Sequence, residues 1–597
     1  MNGLQEKYLA NVREILSLRD FNQDAALSFE DWYHKRLHAE CRLEELRGEN
    51  IRMLNEQLFP ALDDLFGASE ARLGELAAFA DALMDWSTNL DCGVYVAIHD
   101  AMLRLCRIRR DRDGTIRELY KLGMGLYYLR RSVEGLDERA AAPFNFENEM
   151  VFTEASSYIR YFNDVDREET KGYIIRSLAN VSLCTRDRKR RIAVSARTLD
   201  ILNDTSYRSS APGLPWDAFV RKTHQQMSVN RHELSGGDLT KEELAAVLDS
   251  CYEVFKPEEA AENPSIRWRW PYYEMEYNCG YVDLKTTLER LERLIQEPKP
   301  DPYDVSGMYG SVQLPLYYGR LLAGNPQLLN DRHYLRFLDG AYRQMMDAML
   351  QCPAERMDDY FVFLIDAVIT NFREFEGCIN YREVTVAFMR RFTGSLYISS
   401  RLSSDLMRCF CGMVFEQDET FFDDIPFIKN IENSDEKRER LLSFASDCGF
   451  YHDFGLIKMN LSRTMQTRNL FENEYRMYML HTISGYDDLR KRPSTACFAD
   501  AALGHHRWYD GTDGYPNDYV RNDSPYRQLT DVMAVVSALQ EEKGDIEEKV
   551  RNILEGERRR FSPMVTAFLT DAKLVSSLDE LLSGSRETYY RSVYETL

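Results

Sequence analysis

Residues 452–516 gather the side chains of this chain that could do metal chemistry. His452-Asp453 sits in Gly449-Phe450-Tyr451-His452-Asp453-Phe454-Gly455, and His481 begins His481-Thr482-Ile483-Ser484-Gly485. His505-His506 then leads into Arg507-Trp508-Tyr509-Asp510-Gly511-Thr512-Asp513-Gly514-Tyr515-Pro516, a run rich in turn residues. Four of the ten histidines therefore fall between residues 452 and 506. Neutral imidazole nitrogens and carboxylate oxygens are the ligands that divalent first-row metals accept. Two such ions about 3.5–4 Å apart clamp a phosphate and lower the pKa of a shared water, which makes hydroxide at neutral pH. A His-Asp dipeptide alone says little, since His99-Asp100 also carries one. The order and company of the later residues carry the signal.

Taken in order, His-Asp, His, His-His, Asp510-Gly511-Thr512 and Gly514-Tyr515-Pro516 resemble the HD-GYP family, metal-dependent phosphodiesterases of the HD superfamily that open cyclic di-GMP in bacteria. The resemblance covers about the last third of the chain. It implies metal ligands at His452, Asp453, His481, His505, His506 and Asp531, the last from Leu529-Thr530-Asp531-Val532-Met533-Ala534. It implies a substrate loop of Asp510, Gly511, Thr512, Gly514, Tyr515 and Pro516, lengthened here by Asp513. One metal position keeps Asp453, His481, His505 and His506; the other keeps His452, Asp453 and Asp531 and lacks its fourth ligand. The expected cofactor is one or two divalent ions, iron, manganese or similar. The expected substrate is a cyclic dinucleotide or another small phosphoester.

The pattern breaks at two places. Family members follow the His-Asp pair with Gly-Lys, whose lysine holds the substrate phosphate; this chain has Gly455-Leu456. Lys458 and Arg507 are the cations that would substitute, beside Asp453 as the central catalytic acid. The family's first-helix histidine aligns with Ile398. These losses open a second reading: a catalytically impaired sensor or protein-interaction module that binds metal or nucleotide and signals through the rest of the chain. A third reading makes the C-terminal domain structural and the chain a scaffold.

The remaining sequence must position these residues. At 597 residues the chain is long enough for about two to four domains, each with its own core. Hydrophobic residues form 44% and charged residues 29%, a globular composition. The formal net charge of -22 opposes broad contact with a nucleic-acid polymer or an anionic membrane. The short basic clusters at 107–112, 186–191 and 558–560 read as solvated helix faces and turns. Twelve cysteines without a CxxC pair read as reduced core residues of a cytoplasmic protein. No apolar run approaches the roughly 20 residues that span a bilayer.

Apolar residues recur at three and four throughout, so the fold class is all-α. Residues 1–295 are read as helical repeats that resemble tetratricopeptide-type arrays, a solenoid-like region whose surface suits a protein partner. Helix pairs are expected at 94–106 with 115–130 and at 170–183 with 188–202. Leu119, Leu122, Leu126 and Leu129 form one buried stripe, and Gly123 and Gly125 admit a close neighbour. Gly236-Gly237 reads as a turn. The prolines of Glu297-Pro298-Lys299-Pro300-Asp301-Pro302 cannot continue a helix and mark a boundary. Residues 296–390 are assigned to linker and bracing helices, and 391–597 to the HD-type helical bundle.

Overall fold

The computed structural model describes all residues except 1, 23, 25, 85–88, 134–137, 186, 230–238, 263, 300, 354–355, 460 and 585. Gly236-Gly237, Arg186 and Pro300 thus lie outside the described residues. The fold is all-α: among the described residues, β-structure is confined to three isolated bridges. No helix among them is long and apolar enough to cross a membrane.

The helices that matter here are α1 (Asn2–Arg19), α2 (Phe29–Met53), α3 (Glu70–Leu83), α4 (Cys92–Arg109), α5 (Arg112–Arg130), α6 (Glu138–Ser157), α7 (Glu168–Cys184) and α8 (Arg188–Asn203). The two expected pairs are present as α4 with α5 and α7 with α8, each a little longer than its periodicity predicts. Asp91 and Asp111 supply the N-caps of α4 and α5, their carboxylates accepting from Val94 N at 3.0 Å and Gly114 N at 2.9 Å. The four leucines of the α5 stripe are buried. A side chain at Gly123 would strike the Phe152 ring, and one at Gly125 would strike Val96 and Tyr95, so both glycines allow close helix contact. Successive helices α4 to α8 pack each on the next.

Further along come α9 (Ile266–Asn278), α10 (Leu284–Gln296), α11 (Arg332–Leu350), α12 (Gly394–Gln417), α13 (Ser434–Tyr451), α14 (Glu472–Tyr478), α15 (His481–Arg490), α16 (Ala499–Gly504), α17 (Arg527–Glu541), α18 (Ala572–Gly584) and α19 (Arg586–Tyr594). Their main apolar core runs from Ile266 to Val593 and passes from α10 across the proline-rich segment to Met308 and Val312. The long helices α12 and α13 form its centre. Ile398 lies on α12 within this core.

The N-terminus is built into the same assembly. Trp32 of α2 is fully buried against the rings of Tyr590 and Tyr594 on α19. A second attachment centres on Arg468, whose side chain is 1% exposed. Its Nε and Nη2 donate to Asp91 at 2.8 and 2.7 Å, and its Nη1 and Nη2 donate to Glu474 at 2.7 and 2.8 Å. Tyr8 Oη of α1 donates to the same Asp91 at 2.7 Å. Burial alone would raise the Asp91 carboxyl, but the guanidinium outweighs it and holds the group below its usual range. A buried charge is tolerated when paired and hydrogen-bonded, and this network meets both conditions.

Gly93, at the start of α4, backs onto the network, where a Cβ would lie 2.1 Å from Glu474 Oε1 and 2.3 Å from Arg468 Nη2. Replacing a helical glycine by alanine ordinarily stabilises by about 0.5–1 kcal/mol. At Gly93 the sign should reverse: Gly93→Ala is expected to destabilise by about 1–3 kcal/mol through overpacking against groups that cannot retreat. Urea unfolding monitored by circular dichroism measures this, and a neutral or stabilising substitution would show the network to be loose.

Candidate metal centre

The centre is assembled where α13 ends. Helix α13 stops at Tyr451, and His452-Asp453 occupy the turn that follows. Gly455 brings this turn against the first turn of α15: a Cβ there would lie 1.9 Å from the His481 carbonyl oxygen and 2.7 Å from Gly485 N. The glycine of His481-Thr482-Ile483-Ser484-Gly485 is the other half of that contact, since a side chain on Gly485 would lie 3.1 Å from Gly455 N. Two glycines thus let two backbones touch, which places Asp453 beside His481.

Asp453, His481, His505 and His506 each offer one ligand atom, and these four atoms all lie within 4.8 Å of one another, so the cluster could hold a metal ion. Asp453 Oδ1 is 3.4 Å from His481 Nε2 and 3.3 Å from His505 Nε2, and the two nitrogens are 3.4 Å apart. A tetrahedral ion about 2.1 Å from each donor gives donor separations of about 3.4 Å. The triangle therefore has the size that a first-row cation requires.

Protonation strengthens the case. His481 Nδ1 donates to Tyr478 O at 2.8 Å, and His505 Nδ1 donates to Ala502 O at 2.9 Å. A carbonyl only accepts, so in each neutral ring the hydrogen is on Nδ1 and the lone pair is on Nε2. Two lone pairs and a carboxylate oxygen then face each other, an arrangement that calls for a cation between them. Burial lowers His505 to about 4 despite the nearby Asp453, and burial together with the neighbouring imidazoles holds His506 well below its usual value. The Nε2 of His506 is buried and has no hydrogen-bond partner.

His452 plays a different part. Its Nδ1 faces Gly449 O at 2.8 Å and its Nε2 faces Asp453 Oδ2 at 3.3 Å. Burial alone would lower it, but the adjacent carboxylate overrides this and holds it above the ordinary histidine value. Asp453 is in turn held well below the usual carboxylate range, the charge of His452 leading the effects that outweigh its desolvation. His452 therefore orients the carboxylate and does not join the four donors.

The structure does not bring Asp531 to the cluster. Its carboxylate is engaged by Arg521 through Nε and Nη2, in a small polar cavity lined also by Tyr509, Tyr519 and Ser562. The residue of α17 that reaches the centre is Glu541, ten positions later. Ten residues are about 2.8 helical turns and roughly 15 Å, so the two acids lie on different faces and far apart along the helix. Glu541 Oε1 lies 3.7 Å from His506 Nε2, its side chain is 46% exposed, and it accepts from Ser537 Oγ at 3.2 Å. Desolvation by the surrounding protein and the charge of Asp453 hold its carboxyl above the usual range. In the sequence Glu541 belongs to Gln540-Glu541-Glu542-Lys543, which reads as a solvated helix end; no local signal singles it out.

Neither cation expected near a substrate phosphate is free. Lys458 is buried in an ion pair with Asp488, Nζ to Oδ2 2.5 Å. The Nη1 of Arg507 donates to the carbonyls of Asp513 and Gly514 at 3.0 and 3.1 Å, and its Nη2 donates to that of Gly511. Arg507 thereby folds the loop back onto the paired histidines. Gly514, at φ +77°, lies so close that a Cβ would meet the His506 carbonyl oxygen at 2.2 Å. Tyr515 packs against His506 with ring centroids 4.6 Å apart and the rings tilted by 34°, and Pro516 follows through a cis peptide bond. Asp510, Gly511 and Thr512 form an exposed tip in which Asp510 Oδ1 accepts from Thr512 N at 2.9 Å and from its Oγ1 at 2.8 Å. His99, of the other His-Asp dipeptide, is buried with its Nδ1 2.7 Å from Glu118 Oε2.

Two substitutions separate the donors from the bystander. His505→Ala should lower the bound cation from about one per chain to below about a tenth, since a site of four protein ligands loses one. Asp531→Asn should leave the metal content unchanged and destabilise by about 1–3 kcal/mol, because Arg521 loses a charged partner. Elemental analysis and urea unfolding report both, and metal loss in Asp531→Asn would contradict this geometry. No protein-family model matches the chain, and no significant match was found among curated proteins or solved structures.

Proposed function

We propose that the chain is a divalent-metal-dependent phosphohydrolase of HD type that holds a single ion, iron, manganese or similar, on Asp453, His481, His505 and His506 and opens a small phosphoester in the cytoplasm. The convergence of four nitrogen and oxygen donors within 4.8 Å carries this reading. The resemblance to HD-GYP phosphodiesterases makes cyclic di-GMP the first substrate to try. One ion is favoured over two because Asp531 is held by Arg521.

A cation held there supplies Lewis acidity toward a phosphoryl oxygen and lowers the pKa of a bound water. The protein residues do the rest. His452 fixes Asp453 through Oδ2 and leaves Oδ1 directed at the cluster. The Tyr478 and Ala502 carbonyls set which nitrogen His481 and His505 present. Glu541 stands at the solvent-facing edge, its Oε1 3.7 Å from His506 Nε2, where its carboxylate can exchange a proton with a water at the cluster. As the water oxygen bonds to phosphorus and the ester P–O bond breaks, Glu541 takes the water's proton and returns it to the leaving oxygen.

A second reading is a metal-holding module without turnover. It is favoured by Lys458, locked to Asp488, and by Leu456, which offers a phosphate no charge. Hydrolysis of bis(p-nitrophenyl) phosphate and of cyclic di-GMP, with manganese or ferrous iron added, decides between them. The hydrolase reading expects turnover that His505→Ala abolishes together with its metal. It also expects Glu541→Gln to keep the metal and lose about 10²–10⁴-fold in rate. Metal-loaded protein that cleaves neither substrate would favour the module.

A further inference from the structure

We propose that a groove between α4, α5, α6 and α14 is a docking site for a basic amphipathic helix of a partner protein. The inference is independent of the metal reading. The groove has a volume of about 520 Å³, within the range of specific binding clefts. Its floor is the α5 stripe, Leu119, Leu122 and Leu126, together with Val96 of α4, Val151 of α6 and Met477 of α14. Leu103, Leu119, Leu122, Leu126 and Ala155 form a small apolar cluster separate from the main cores.

The rim is acidic. Asp100, Glu147, Glu154 and Glu472 border the groove, and Arg107 is the cation among its lining residues. Arg107 is already taken by Glu154 through two bonds of 2.7 and 2.8 Å, and Asp100 faces Arg104 at 3.0 Å. Among the described residues no ion pair within 4.0 Å engages Glu147 or Glu472, although the charge of Arg476 is felt at Glu147. Two carboxylates at an apolar groove, on a chain of net charge -22, attract a cationic partner and repel an anionic one.

Shape selects a helix. The lining residues of α5 run from Leu119 to Leu129, roughly 15 Å of helix, so the groove is elongated. A length of about three turns matches an amphipathic helix anchored at i, i+3 or i+4, and i+7. Outside the groove, α6 also exposes Phe146 and Met150, 66% and 47% exposed, the residues just before Glu147 and Val151. A partner helix would place aliphatic side chains on the leucine floor and lysines or arginines beside Glu147 and Glu472.

The test uses the full-length protein and a fluorescein-labelled synthetic helix of alternating leucine and lysine faces, with leucines at i, i+3, i+4 and i+7, followed by fluorescence anisotropy. Saturable binding is expected, weakening at least about tenfold when the charges are reversed in Glu147→Lys/Glu472→Lys and weakening with added salt. Both substituted residues are on the rim, so the variant should melt at the wild-type temperature. A matched helix with glutamate in place of lysine should not bind. Equal binding to the charge-reversed variant, or equal binding of the glutamate helix, would overturn the proposal. Concentration-dependent self-association of the wild type that the charge-reversed variant abolishes would assign the groove to a second copy of this chain, and so overturn it too.

Discussion

Buried lone pairs of like polarity repel unless something positive stands between them, and the C-terminal half of this chain is organised around three such pairs. Asp453 Oδ1 and the Nε2 atoms of His481 and His505 approach to 3.3–3.4 Å, while each ring spends its hydrogen on a helix-end carbonyl. The surrounding features serve that geometry. Gly455 and Gly485 remove the side chains that would hold the His-Asp turn away from α15. Gly514 admits the returning loop, and Arg507 fastens it by its carbonyls. His452 steadies the carboxylate from behind. Each of these residues is unremarkable alone, and each is explained by the position of a neighbour.

The N-terminal helices are attached to this half by a buried charge network. Arg468 carries one positive charge between Asp91 and Glu474, and Tyr8 satisfies a remaining lone pair of Asp91. Asp91 is also the N-cap of α4, so one carboxylate both starts a helix and anchors a distant segment. Glu474 belongs to α14, which ends three residues before His481. The same short helix thus touches the network, walls the acidic groove and supplies the carbonyl that orients the His481 imidazole. Contact between the two halves and geometry at the centre share a structural part.

Much of this was legible in the sequence. Helical periodicity gave the all-α class, the α4–α5 and α7–α8 pairs, and the leucine stripe of α5. Residue type and order were enough to group Asp453, His481, His505 and His506, because imidazole and carboxylate are the side chains that offer metal-binding nitrogen and oxygen atoms. Side-chain direction was less legible. Asp531 and Glu541 are both acids on one helix, and only the azimuth of α17 in the assembled fold decides which one faces the cluster. Lys458 and Arg507 bear the right charge, but charge in a sequence does not reveal whether a buried partner already claims it. The break between α14 and α15 was not legible either: α14 stops at Tyr478 and His481 opens α15, its Nδ1 taking up the Tyr478 carbonyl.

The tethering of both imidazoles to backbone oxygens has a consequence for ion discrimination. Rings held by helix ends cannot spread without moving the helices, so the opening between the three donors keeps its width. Calcium prefers oxygen donors at about 2.3–2.6 Å and six to eight of them, and magnesium sheds its hydration shell reluctantly. A nitrogen-rich frame with edges of 3.3–3.4 Å suits neither. Donor type and spacing together would make the cluster, were it to hold an ion, a better match to a transition metal than to an alkaline-earth cation.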